Sequence, residues 1–118
     1  MGSSVFGVAV DCANAAMPAE FWSCVLGRPV ADGATIDTAV VPADDGPAHG
    51  PRLGFHRVPE PKSSNNRLHL DLITSDFNAE TGRLLALGAV KVNEVCQNGA
   101  RWLTFLDIEG NEFDLIAG

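Results

Sequence analysis

Apolar positions along the chain change period several times, and each change marks an element. Residues 5–11 (VFGVAVD) place Val5, Phe6, Val8 and Val10 in a short run of β type. Pro18 suits the first helical position, where its missing N–H is one of the groups a helix start leaves unpaired anyway. Phe21, Trp22, Val25 and Leu26 recur on one helical face, and Gly27 can close the helix in the left-handed conformation. Strands are expected at 29–31, 35–41 and 53–58. Pro, Gly and Asp crowd residues 42–51 (PADDGPAHGP), which predicts a surface loop that includes the acidic pair Asp44-Asp45.

A second loop at 59–66 (PEPKSSNN) divides the chain near its midpoint, and the pattern restarts. Residues 67–73 (RLHLDLI) alternate, with Leu68, Leu70 and Leu72 on one face and Arg67, His69 and Asp71 on the other. Ser75 or Asp76 caps a helix that carries Phe77, Leu84, Leu85 and Leu87 and ends at Gly88. Three strands follow at 89–95, 101–106 and 112–116. Between the last two, Asp107 to Asn111 (DIEGN) has the Asp-first, Gly-fourth form of a type I turn closing a hairpin.

The two halves therefore share one plan. Val25-Leu26-Gly27-Arg28 and Ala86-Leu87-Gly88-Ala89 superpose about sixty-one residues apart. Two copies at that period do not make a solenoid. The pattern predicts an α+β fold in a single domain, 1–118, made of two βαβββ units at 5–58 and 67–117. Their mixed, mainly antiparallel sheet would curve around a cleft, with the helices on the outer face.

Composition narrows the chemistry. At 118 residues, with 46% hydrophobic and 19% charged residues, the chain can bury a core without staples. Its net charge of −7 and the lack of a basic cluster exclude nucleic acid as a partner. No apolar run reaches the roughly twenty residues of a membrane span. Cys12, Cys24 and Cys96 form no C-x-x-C pair and read as reduced core residues, with Cys24 packed inside the first helix. With no basic segment at the N-terminus, a cytoplasmic location is expected. There is no Tyr, and no G-x-S-x-G, H-E-x-x-H, Walker A or G-x-G-x-x-G motif.

The alternation itself points to a site. Leu68, Leu70 and Leu72 must pack under the second helix, which turns Arg67, His69 and Asp71 to the opposite, concave face. By the same rule Phe113 and Leu115 enter the core and send Asp114 to the concave side, as Leu53 and Phe55 do for His56. Trp102 could add a stacking surface. The expected ligand-binding set is His56, Arg67, His69, Asp71, Trp102 and Asp114, convergent polar groups in a mostly apolar pocket. An exposed, salt-bridged strand face would use the same residues.

Glu20 to Gly27 (EFWSCVLG), Asn66 to Asp71 (NRLHLD), Leu87-Gly88-Ala89 and Asp107 to Phe113 (DIEGNEF) occur in the order found in one superfamily. By these residues the chain resembles the vicinal oxygen chelate superfamily of glyoxalase I, bleomycin-resistance proteins and type I extradiol dioxygenases, and within it the small glyoxalase-like proteins. The turn departs from the family pattern at Ile108, where Pro is usual. The resemblance implies a homodimer and, in metal-using members, a divalent ion held by strand-start His and strand-end carboxylates. His69 and Asp114 match the second-half ligand positions. Their first-half counterparts fall on Val8 or Ser4 and near Gly54, none a credible ligand, although His56 could substitute. Three functions follow. A metal-independent small-molecule binding protein for sequestration, resistance or a biosynthetic accessory role, with no cofactor, is favoured. The alternative is a divalent-metal lyase, isomerase or dioxygenase using His69 and Asp114. The third is a ligand-free dimerisation module.

Overall fold

A computed structural model describes residues 2–44 and 50–118. The central part of the predicted 42–51 loop, with Asp45 of the acidic pair, lies outside the described residues. The chain divides into two compact units, Met1–Pro61 and Lys62–Gly118.

In the first unit, β1 (Gly7–Cys12) leads to α1 (Ala16–Leu26), then β2 (Thr38–Val41) and β3 (Arg52–Arg57). The sheet order is β1-β3-β2, with β1 parallel and β2 antiparallel to β3. The helix starts two residues before Pro18, and the Asn14 side chain accepts the Ala16 N–H at 3.2 Å. Gly27 closes it as expected, at φ 66°. Phe21, Trp22 and Val25 are buried, and α1 packs on β2 and β3, where Ala39, Val41, Leu53 and Phe55 supply the other half of the core.

One predicted strand, 29–31, does not form. A single bond from the Ala31 N–H to the Val40 carbonyl at 2.9 Å is what remains of that pairing. The reason is local: Arg28, 6% exposed, turns inward and donates through Nη1 to the carbonyls of Pro42, Gly50 and Pro51 at 3.2, 3.2 and 3.1 Å. That clamp fixes both ends of the 42–51 loop and takes the backbone after Gly27 off the sheet.

In the second unit, β4 (Leu70–Thr74) precedes α2 (Phe77–Ala86), β5 (Val90–Gln97), β6 (Ala100–Leu106) and β7 (Glu112–Ala117). The sheet order β4-β7-β6-β5 has one parallel pair, β4 with β7. Asp76 caps α2 by accepting the Ala79 N–H at 3.2 Å. The predicted turn forms: Asp107 accepts the Glu109 and Asn111 N–H groups, both at 2.9 Å, and Gly110 takes φ 83°. Phe77 and Leu84 of α2 are buried, and the helix packs on β7. Phe105 and Phe113 stack in the core with centroids 5.4 Å apart.

Three expectations are corrected here. Strand β4 starts at Leu70 and not at Arg67, so Leu68 is 87% exposed. Leu85 of α2 is also exposed. Of the three thiols only Cys12 is buried, while Cys24 and Cys96 are exposed, and none is in a disulfide. No helix among the described residues is long and apolar enough to cross a membrane.

Candidate functional site

Alternation along β4, β7 and β6 sorts the second unit's sheet into two faces. Leu70 and Leu72 pair in register with Phe113 and Leu115, which pair with Phe105 and Leu103, on the buried face. The other face carries Asp71 opposite Asp114, and Asp114 opposite Thr104. Trp102, opposite Ile116, stands two residues from Thr104 on this same face and is half-buried.

His69 sits just before β4, yet its ring reaches the carboxylates. Nδ1 lies 2.8 Å from Asp71 Oδ1 and 3.8 Å from Asp114 Oδ2. Thr104 Oγ1 donates to Asp114 Oδ1 at 2.6 Å. Arg67 does not join this row, because it lies in an exposed bend before the strand begins. His56 belongs to the first unit, exposed on β3 beyond the buried Leu53-Gly54-Phe55 segment.

One donor atom from each of His69, Asp71 and Asp114 lies within 4.8 Å of the others. Ligands about 2.0–2.2 Å from a shared ion stand no more than about 4.4 Å apart, so a shift of a few tenths of an ångström would close the set. One imidazole nitrogen and two carboxylate oxygens suit Mn, Fe, Ni or Zn and leave positions open for a ligand. The residues present therefore fit a divalent cation.

In the first unit β1 runs parallel to β3, with Val8 and Val10 beside Leu53 and Phe55 on the core side and Gly7, Ala9 and Asp11 beside Arg52, Gly54 and His56 on the other. At the middle of that second face Ala9 and Gly54 carry no donor atom. A Cβ at Gly7 would stand 2.8 Å from the Arg52 carbonyl oxygen, so the close approach of β1 and β3 excludes an imidazole there.

Glu112, at the start of β7, anchors the segment leading to the site. Lys62 Nζ lies 2.8 Å from its Oε1, and the Asn66 N–H donates to Oε2. Burial pushes this carboxyl up, but the Lys62 ammonium and the backbone N–H groups outweigh it and hold it below the usual carboxylate value.

Sequence reasoning missed Thr104 and Arg28. Thr104 was within reach, since the 107–111 turn sets the β6–β7 register and places it opposite Asp114. Arg28 gave no signal, because its partners are carbonyls.

Against known proteins, the family model for the glyoxalase-like domain matches residues 7–116. The chain belongs to that family, and with it to the vicinal oxygen chelate superfamily. A comparison with curated protein sequences finds no match. Among solved structures, a glyoxalase/bleomycin resistance protein/dioxygenase family enzyme from Burkholderia phytofirmans PsJN is similar at TM-score 0.78 and 14% identity, over 98% of each chain. A variant of the fosfomycin resistance protein FosX from Listeria monocytogenes, complexed with Mn(II) and 1S,2S-dihydroxypropylphosphonic acid, is similar at TM-score 0.75 and 15% identity, over 100% of this chain and 92% of that one. TioX from Micromonospora sp. ML1 is similar at 0.64 and 21%, over 98% of each.

Proposed function

We propose that the chain is a small-molecule-binding protein whose ligand meets a divalent cation held by His69, Asp71 and Asp114. The convergence of three donor atoms within 4.8 Å carries this reading. Two carboxylates facing each other across a ladder repel, and a cation between them turns that cost into attraction. FosX, bound to Mn(II) in a chain of the same fold, supports it. A bound ion would supply Lewis-acid polarisation of paired ligand oxygens. The chain's own part is orientation: Thr104 fixes the Asp114 carboxylate, Asp71 fixes the imidazole, and Trp102 offers a stacking surface on the same face.

A metal-free binding site is the second reading. The Thr104–Asp114 and His69–Asp71 hydrogen bonds give these groups partners without an ion. Titration of chelator-treated protein with Mn(II), followed by the loss of free-ion EPR signal, separates the two. One site per chain, weakened at least tenfold by His69→Ala and by Asp114→Asn, supports the cation. Absence of saturable binding leaves the metal-free reading in its place.

A further inference from the structure

The first unit's sheet has its own solvent-side face, and its chemistry is the reverse of the second unit's. Arg52, Gly54 and His56 alternate along β3 on that face, opposite the one from which Leu53 and Phe55 are buried. Gly54 lacks a side chain, and the space above it is taken by its two neighbours. A Cβ built there would lie 3.0 Å from Arg52 Nη1 and 3.5 Å from His56 Nε2. The guanidinium and the imidazole thus converge over one glycine. Arg52 also stands over the Phe6 ring at 5.3 Å, which holds its stem on this face.

Neither side chain has a hydrogen-bond or ion-pair partner among the described residues, whereas Arg57 on the same strand is paired with Asp37 at 3.2 Å. Asp11, Thr38, Ala9 and Val40 are the register neighbours on this face, and Asp11 directly opposes His56 without forming an ion pair. In a chain of net charge −7, a guanidinium fork and an imidazole left unpaired side by side are an unusual concentration of free donors.

We infer that Arg52 and His56 form an oxyanion subsite over Gly54, which takes the carboxylate, phosphate or phosphonate group of a small ligand. The planar fork of Arg presents parallel N–H donors matched to two oxygens of such a group, and the His56 ring adds a third donor. A side chain at Gly54 would crowd the guanidinium, since its Cβ would stand 3.0 Å from Arg52 Nη1. The subsite extends the small-molecule reading above but does not depend on its cation.

The test uses the full chain in EDTA, titrated with inorganic phosphate and separately with acetate at constant ionic strength, and follows the histidine ring signals by NMR. His56 is assigned with His56→Gln. The expected result is a saturable shift of the His56 signals, with affinity at least fivefold weaker in Arg52→Gln and in Gly54→Ala and unchanged in Arg57→Gln. Phosphate binding tighter than acetate marks a tetrahedral group, and the reverse marks a carboxylate. Thermal melts of each variant confirm folding, and Arg52→Gln alone suffices if Gly54→Ala does not fold. No saturable shift with either anion, or equal weakening by Arg57→Gln and Arg52→Gln, overturns the subsite. Because the protein is metal-free throughout, failure of Mn(II) binding at His69 and failure of this site are read separately.

Discussion

Asp71 and Asp114 stand directly opposite one another on the parallel β4–β7 pair, and among the described residues His69 is the one basic group within ion-pair distance of either. Like charges facing across a ladder cost up to about 1 kcal/mol, so the arrangement is a local loss that a bound cation reverses.

Asp71→Asn measures that loss. The amide oxygen still accepts from His69 while one of the two facing charges is gone, so in EDTA the variant is expected to be more stable by about 0.5 kcal/mol in urea unfolding. With Mn(II) at about 100 times its Kd the parent chain gains about 2.7 kcal/mol, and the variant gains much less. A variant less stable than the parent in EDTA would show that the charged His69–Asp71 bond outweighs the repulsion.

Removing Arg28 tests the first unit by itself. Arg28→Ala removes the buried guanidinium that the carbonyls of Pro42, Gly50 and Pro51 share, and a loss of about 1–3 kcal/mol is expected from part-buried hydrogen bonds to a charged group. Chemical denaturation checks it. Arg28→Lys recovers little, since a point charge cannot span three acceptors as the planar group does.

Leu84→Ala and Leu68→Ala separate two leucines that the sequence pattern places in the core alike but the structure does not. Leu84 is 0% exposed, and its truncation is expected to cost about 2–5 kcal/mol. Leu68, at 87% exposed, should change stability by less than about 0.5 kcal/mol. Equal effects would place Leu68 in the core after all.

Glu112 sets a pH dependence. Its carboxyl lies below the ordinary value of 4.5 in the folded chain, so the unfolded chain binds the proton more readily. The stability it contributes is fully present above pH 4.5 and is lost as pH falls through the folded value. Glu112→Gln should flatten the parent's acid limb in a stability–pH profile and cost about 1 kcal/mol at pH 7. An unchanged acid limb would contradict the ion pair with Lys62.

Much of the second unit was legible in its sequence because alternation leaves no freedom once Phe113 and Leu115 must be buried. That parity alone puts Asp114 and Asp71 on one face. It failed at Arg67 and Leu68, because the pattern continues the strand three residues ahead of its first ladder pair, Leu70 with Phe113. The preceding segment is instead tied down by Glu112 through Asn66 and Lys62, a tertiary constraint that periodicity does not carry. In the first unit, the 29–31 run has strand composition but loses its place to the inward turn of Arg28. Cys24 lies about 60° outside the buried stripe of Phe21, Trp22 and Val25 at about 100° per residue, so helical spacing already sets it apart and its apolar residue type alone suggested burial.

The clamp at Arg28 also bears on how this chain could change over generations. One guanidinium holds Pro42 on one side of the loop and Gly50 and Pro51 on the other, and an isolated bridge joins Asp44 to Gly50. The entropy of closing the segment is therefore met by contacts that do not depend on what lies between. Doubling such a segment's length adds only about 0.6 kcal/mol of closure cost. The 42–51 stretch is thus a cassette: it can lengthen, shorten or acquire new side chains while β2 and β3 keep their pairing. Novelty can enter there without the sheet having to be rebuilt.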